Sequence, residues 1–227
     1  MISPRGRVRI AFVLVLASAW LPFAPALFAR WAADDFILVE GFLREFPTWR
    51  TFLAASFLDN FGGGGGLYRP IGFLSIYTDL RVFGPNPEAL HLSSLAWHGL
   101  ASALVVALGL VVSRGNREGV VPLVCVGVFF AAFPRRVEPV AWVSCRPDLV
   151  AAVLGTAAVW MWLRCDGARW RLGSTILFAM SLLAKETAVF LPAVLPLASS
   201  GRRGIQRVLR IWPFLVAMGI VAIMRRT

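Results

Sequence analysis

Charge is scarce in this chain, and acid is scarcer than base: only 15% of the 227 residues are charged, with 12 acids against 23 bases. A soluble domain needs a charged shell, so this scarcity, with 58% hydrophobic residues and a mean hydropathy of +0.73, excludes an ordinary soluble fold. Cysteine is nearly absent too. Cys125, Cys145 and Cys165 are odd in number, with no CxxC pair and no histidine beside them, which gives neither a disulfide framework nor a metal site. The five-glycine stretch Gly62 to Gly66 has neither a P-loop lysine nor a strand before it, so it reads as a flexible loop tip rather than a phosphate cradle.

What is present is a series of apolar runs separated by arginine. The net charge of +11 and a pI near 11.4 would ordinarily raise nucleic acid as a partner. Here the arginines cluster between apolar runs, where the positive-inside rule accounts for them, so the expected partner is the lipid bilayer and not nucleic acid. The pattern predicts an all-α, polytopic helical membrane protein.

Arg5, Arg7 and Arg9 precede a run from Ile10 to Phe28, longer than the apolar core of a cleaved signal, although Ala26 to Ala29 faintly resembles a signal-peptidase site. An uncleaved first span is expected. Residues 31–88 contain no run long enough to cross, and seven acids there face four arginines, which reads as a long extracytoplasmic loop. Within it, apolar residues from Phe36 to Leu53 recur at helical spacing and predict short amphipathic helices on the membrane face.

Further spans are expected at His91 to Val112, Val120 to Phe133 and Leu149 to Leu163, the last two short enough to extend into their flanks. Leu172 to Ser200 divides into two short helices near Lys185-Glu186, because one helix would export Arg202, Arg203, Arg207 and Arg210. Ile211 to Met224 brings the expected count to about seven and leaves Arg225 and Arg226 on the far side, against the charge rule, as in a chain cut before its partner spans.

Between the third and fourth spans lies a charged island, Phe133 to Asp148, interrupted by Pro134, Pro139 and Pro147. Arg135, Arg136, Glu138, Arg146 and Asp148 would each cost several kcal/mol in hydrocarbon, so the island belongs in water, in headgroups or in a polar cavity. The expected topology puts Asp34, Asp35, Arg69, Glu138, Arg146, Asp148, Lys185 and Glu186 on one face. Adjacent carboxylates offer one group as a general base and a second to position it or a divalent metal. Arginines and a lysine beside them suit an anion, and at a membrane surface that is a lipid phosphate. Plainer readings stand beside these: Asp34-Asp35 as the solvated start of an amphipathic helix, Arg146 with Asp148 as a local ion pair, Lys185-Glu186 as a self-neutralising turn, and His91 and His98 as packing residues.

Tyr68-Arg69-Pro70, Phe83-Gly84, Asn86-Pro87, His91, His98, Phe133-Pro134, Glu138 to Trp142, Arg146 to Leu149 and Leu183 to Thr187 together resemble, from about Trp31 to Pro196, the membrane part of the tetratricopeptide-repeat transmembrane O-mannosyltransferase-like proteins. The resemblance implies a GT-C type bundle as one domain over residues 1–227, in the inner or plasma membrane with a periplasmic or lumenal active face. It also implies a polyprenyl- or dolichyl-phosphate sugar donor, mannose-like, and a protein or glycan hydroxyl acceptor. In related protein mannosyltransferases the first acid of the first-loop pair is the base, which maps to Asp34 with Asp35 as its neighbour. Arg69, Arg146 and Lys185 are the expected phosphate ligands, supported by Glu138, Asp148, Glu186 and His91. The chain departs from the pattern in three ways: Phe133-Pro134-Arg135-Arg136 replaces His-Pro-x-His, Arg146-Pro147-Asp148 replaces Arg-Ala-Asp or Arg-Lys-Asp, and no tetratricopeptide repeats follow. An inverting glycosyltransferase is therefore the first expectation. A non-catalytic or degenerate membrane subunit that binds the lipid-phosphate sugar is the second. A transporter is the third, weakened by charges that sit at span ends rather than within spans.

Overall fold

The computed structural model describes residues 3–58, 68–113, 120–198 and 211–225. The five-glycine stretch, Arg114, Arg117, Arg202, Arg203, Arg207, Arg210 and Arg226 lie outside the described residues. All regular structure among the described residues is helical.

Helix α1, Pro4–Trp20, starts where the Ser3 hydroxyl accepts from the Gly6 amide at 3.1 Å. Two prolines, Pro22 and Pro25, then tighten the chain into the 3-10 segment Leu21–Phe28. Helices α2 (Asp35–Glu45), α3 (Trp49–Leu58) and α4 (Pro70–Phe83) fill the loop predicted from sequence. Helix α5, Pro87–Val112, follows with Pro87 in its first turn and the Asn86 side chain capping the Ala89 amide.

Helix α6, Val120–Ala132, ends at Pro134 and bends by 49° into a 3-10 turn (Pro134–Arg136) and the short α7 (Val137–Ala141). A second 3-10 turn, Val143–Cys145, leads into α8, Arg146–Arg164, whose first turn contains Pro147. Helix α9, Ala168–Ala184, stops at Lys185, which is extended at φ −158°. The chain resumes as the 3-10 segment Glu186–Phe190 and α10, Leu191–Ala198, while α11 is Trp212–Met224.

Among the described residues, three helical stretches are long and apolar enough to cross a membrane: Arg5–Phe28, Pro87–Val112 and Val143–Arg164. The bent pair Val120–Ala132 and Pro134–Ala141 makes four if it counts as one span. About seven spans were expected from hydropathy. The expected break at Lys185 is present; α9 with 17 residues and α11 with 13 fall short of membrane length, and α10 is described only as far as Ala198.

Helix α5 is the central element, with α1, α6 and α8 packed around it, α9 against α8, and α11 against α9. Buried serines knit α8 to α9: Ser174 Oγ donates to Ala158 O at 2.6 Å and Ser181 Oγ to Ala151 O at 2.8 Å. Helices α2, α3 and α4 build a separate aromatic core, in which Phe52 stacks on Tyr77 at 4.0 Å and Phe42 meets Phe52 and Phe73 edge-on. At Gly72 of α4 a Cβ would lie 2.6 Å from Pro147 Cβ and 2.9 Å from Ala184 O. Only glycine lets α4 reach both the start of α8 and the end of α9, and that contact brings Arg69, Arg146 and Lys185 to one end of the bundle.

Candidate functional site at one end of the bundle

Helix ends from separated parts of the chain meet at this place. Trp142 Nε1 donates to Asp34 Oδ1 at 2.7 Å, tying the island to the segment after the first span. Val140 packs with Phe23 and Leu95, and Arg225, just past α11, donates to Leu182 O at 2.8 Å. The candidate residues of four separated segments are thus brought together, but they divide sharply by environment.

Arg146 has no exposed surface, and all three guanidinium nitrogens are engaged: Nε with Ser94 Oγ at 3.0 Å, Nη1 with Asp79 Oδ2 at 2.5 Å and Nη2 with Leu90 O at 2.6 Å. The sequence reading makes it a donor-phosphate ligand, with a local ion pair to Asp148 as the plainer alternative. Instead it locks the first turn of α8 to α4 and α5. An arginine entering an apolar bundle is stable only with such complete satisfaction, which leaves nothing for a ligand. Asp79, the one charged residue in Ile71 to Leu80 of α4, was not singled out from sequence, although a lone carboxylate among uncharged helix positions signals a buried counter-ion.

Asp35 is also fully buried. Its carboxylate accepts from Ser144 N and Ser144 Oγ at 2.8 Å, from Ala32 N at 3.2 Å and from Val143 N at 3.3 Å. Three of these bonds fasten the start of α2 to the turn before α8, so Asp35 positions the loop. Its neighbour differs. Asp34 is exposed at the N-terminus of α2, and its Oδ2 accepts no hydrogen bond among the described residues. The preceding Ala33 has φ 47°, a left-handed conformation unusual for alanine, which turns the chain so that the two adjacent carboxylates point to different partners.

The other two expected phosphate ligands are already paired. Arg69 grips Glu186 with two nitrogens, Nη2 to Oε1 at 2.6 Å and Nε to Oε2 at 3.3 Å, and Arg225 adds a third contact at 3.4 Å. Partial burial alone would raise the Glu186 carboxyl; the Arg69 hydrogen bond and the charges of Arg69 and Arg225 outweigh it and hold the group down at about 2. Lys185, the single lysine of the chain, donates to Asp148 Oδ2 at 2.5 Å and keeps 18% of its side chain exposed.

Lys185 and Asp148 line a polar cavity of about 300 Å³ with Arg135, Arg136 and Glu138, and with Phe133 and Pro139 as apolar walls. Arg135 and Glu138 are only 3.9 Å apart and open to solvent. Asp34 does not line the cavity; it is tied through Trp142 to the island that supplies Glu138 and Pro139 to it. His91 is buried, with neither ring nitrogen hydrogen-bonded, and takes no part in the cavity. No cluster of three histidine, cysteine or acidic side chains that could hold a metal ion occurs among the described residues. Cations facing carboxylates in a half-open cavity can hold an anion, and a solvated carboxylate nearby can accept a proton. No protein-family model, no curated protein and no solved structure matches this chain.

Proposed function

We propose that the protein is a membrane glycosyltransferase of the GT-C type. It moves a mannose-like sugar from a polyprenyl-phosphate carrier to a hydroxyl acceptor with inversion. The observation that carries this reading is the polar cavity at one end of an apolar bundle, where Lys185 and two arginines face Glu138 and Asp148, with the exposed Asp34 hydrogen-bonded to Trp142 of the same island. Span ends are where a lipid-borne headgroup meets the protein, and a fixed carboxylate at that depth can reach a hydroxyl delivered from water.

In the proposed step, Asp34 Oδ2 takes the proton of the acceptor hydroxyl. The acceptor oxygen attacks the anomeric carbon, the bond from that carbon to the phosphate oxygen breaks, and its electron pair leaves on the lipid phosphate. Lys185 donates to the charge that develops there and Asp148 holds the ammonium in place. Residues 31–88, 134–148 and 185–186 would then share the extracytoplasmic side, with Arg169 at the cytoplasmic end of a seven-span bundle. Cysteine labelling from each side of the membrane tests this: a cysteine at residue 169 that reacts from the same side as one at residue 135 rules it out.

A second reading is a binding subunit that holds the lipid phosphate for a partner enzyme. It is favoured by the pairing of Arg69, Arg146 and Lys185 with carboxylates and by the complete engagement of Asp35. Incubating the purified protein with a panel of polyprenyl-phosphate sugars and a hydroxyl acceptor separates the two. Consumption of donor with release of polyprenyl phosphate is expected, whereas donor bound but never consumed leaves the binding subunit as the reading.

A further inference from the structure

Of the six cations in and around the cavity, Arg69, Arg135, Arg136, Arg146, Lys185 and Arg225, five have a carboxylate partner within 4 Å. Arg69 and Arg225 share Glu186, Arg146 has Asp79, Lys185 has Asp148, and Arg135 stands 3.9 Å from Glu138. Arg136 has none among the described residues. Its guanidinium lies over the Phe130 ring, 4.2 Å from the centroid, and its Nε is buried with no hydrogen-bond partner. An aromatic face attracts the face of a guanidinium, but the donors radiate from the edge, in the plane, and the ring supplies no acceptor there. The cavity that Arg136 lines holds three cations and two carboxylates, so one positive charge is unbalanced.

A half-buried guanidinium fixed flat on a ring, with its edge unspent, is pre-organised for a planar or tetrahedral oxyanion, and phosphate fits that fork. Pre-organisation matters here because a long flexible cation would lose its rotamer freedom on binding, whereas this one is already held. Lys185 lies on the same cavity, and its bond to Asp148 is solvent-accessible enough to be shared with an incoming anion.

We infer that Arg136 is the principal phosphate ligand of the cavity, sharing the anion with Lys185, while Arg69 and Arg146 remain in their structural ion pairs. The inference rests on the reading of the cavity as a lipid-phosphate site and assigns the residue that grips the phosphate. The group recognised is a phosphate monoester or diester, whether borne by a lipid or free in solution.

The test uses the full chain in detergent, with decyl phosphate and inorganic phosphate as probes in titration calorimetry. Arg136→Gln is expected to weaken decyl phosphate binding tenfold or more. Arg169→Gln, which removes an arginine lying over Trp170 at 5.3 Å outside the cavity, is expected to change it less than twofold. Preference for decyl phosphate over inorganic phosphate assigns the anion to a lipid, and equal affinity assigns it to a free phosphate; either result sustains the proposal. Parental affinity in Arg136→Gln, an equal loss in Arg169→Gln, or no binding of either probe at millimolar concentration overturns it. If Arg136→Gln does not elute as a folded species, Phe130→Leu keeps the charge and removes the platform. About a threefold loss is then expected, and parental affinity counts against the proposal. Donor consumption with an unchanged donor KM in Arg136→Gln sinks this assignment but leaves the transferase standing. Arg136-dependent phosphate binding without donor consumption does the reverse.

Discussion

Arg146 and Lys185 stand at the same end of the bundle, each hydrogen-bonded to a carboxylate at 2.5 Å, yet their surroundings assign them opposite roles. Arg146 has no exposed surface, and Ser94, Asp79 and Leu90 O engage its three nitrogens. Lys185 keeps part of its ammonium in a water-accessible cavity with a single carboxylate partner that is itself 32% exposed. A charge inside an apolar bundle becomes architecture when it is fully satisfied and sealed. It stays available to a ligand when its partner is one that water, or an anion, can replace. The same contrast separates Asp35 from Asp34 one residue away.

The largest effect should come from unsealing the first pair. Arg146→Met leaves the Asp79 carboxylate without its partner and should destabilise the fold by about 3 to 5 kcal/mol, read as loss of a monodisperse species or a large fall in thermal midpoint in detergent. Adding Asp79→Leu to that variant should recover much of the loss. A single mutant with a parental midpoint and weakened phosphate binding would break the comparison, because Arg146 would then be a ligand after all.

Next come the two aspartates. Asp34→Asn should leave the midpoint unchanged and lower sugar transfer by about 10² to 10⁴. Asp35→Asn loses the charge that accepts four hydrogen bonds, so it should lower the midpoint by an amount equivalent to about 1 to 3 kcal/mol, any loss of transfer following the loss of fold. Both variants behaving alike would erase the distinction. Lys185→Gln sharpens the cavity side of the comparison: donor affinity should fall by roughly tenfold to a hundredfold, the range expected for a charge-assisted contact, with little change in midpoint.

The smallest effect is a pH dependence at the half-exposed Arg69–Glu186–Arg225 cluster. The Glu186 carboxyl is held at about 2 against an ordinary 4.5, so folding favours its ionised form. The stability it adds is therefore fully present above pH 4.5 and is lost as pH falls from there towards 2. Solvent screening keeps the contribution modest, since 47% of the side chain is exposed. The difference in thermal midpoint between the parent and Glu186→Gln should shrink through that window; a constant difference would show that the cluster adds nothing through charge.

Much of the bundle is legible in the residues. The runs Ile10 to Phe28 and His91 to Val112 became membrane-length helices because long apolar stretches with caps such as Asn86 and Pro87 leave the backbone no better way to satisfy itself. The helix break at Lys185 and the amphipathic helices of residues 31–88 follow from charge placement and spacing in the same way. The count of spans was less legible: against about seven expected, three to four helical stretches are long and apolar enough among the described residues.

By itself, the sequence determined that the chain is helical, apolar and basic, with its acids and a few cations gathered at helix ends, since composition and periodicity fix how each segment meets water or lipid. Only the tertiary structure decided which charges are spent. Arg135, Arg136, Arg146 and Lys185 look interchangeable along the chain. Partners such as Asp79, Ser94, Phe130 and Asp148 reach them across 52 to 67 residues in the Arg146 cluster, 37 at Lys185, and one helix end at Arg136. Whether a charge is satisfied depends on burial and on neighbours supplied by other segments, and neither is written in the local sequence.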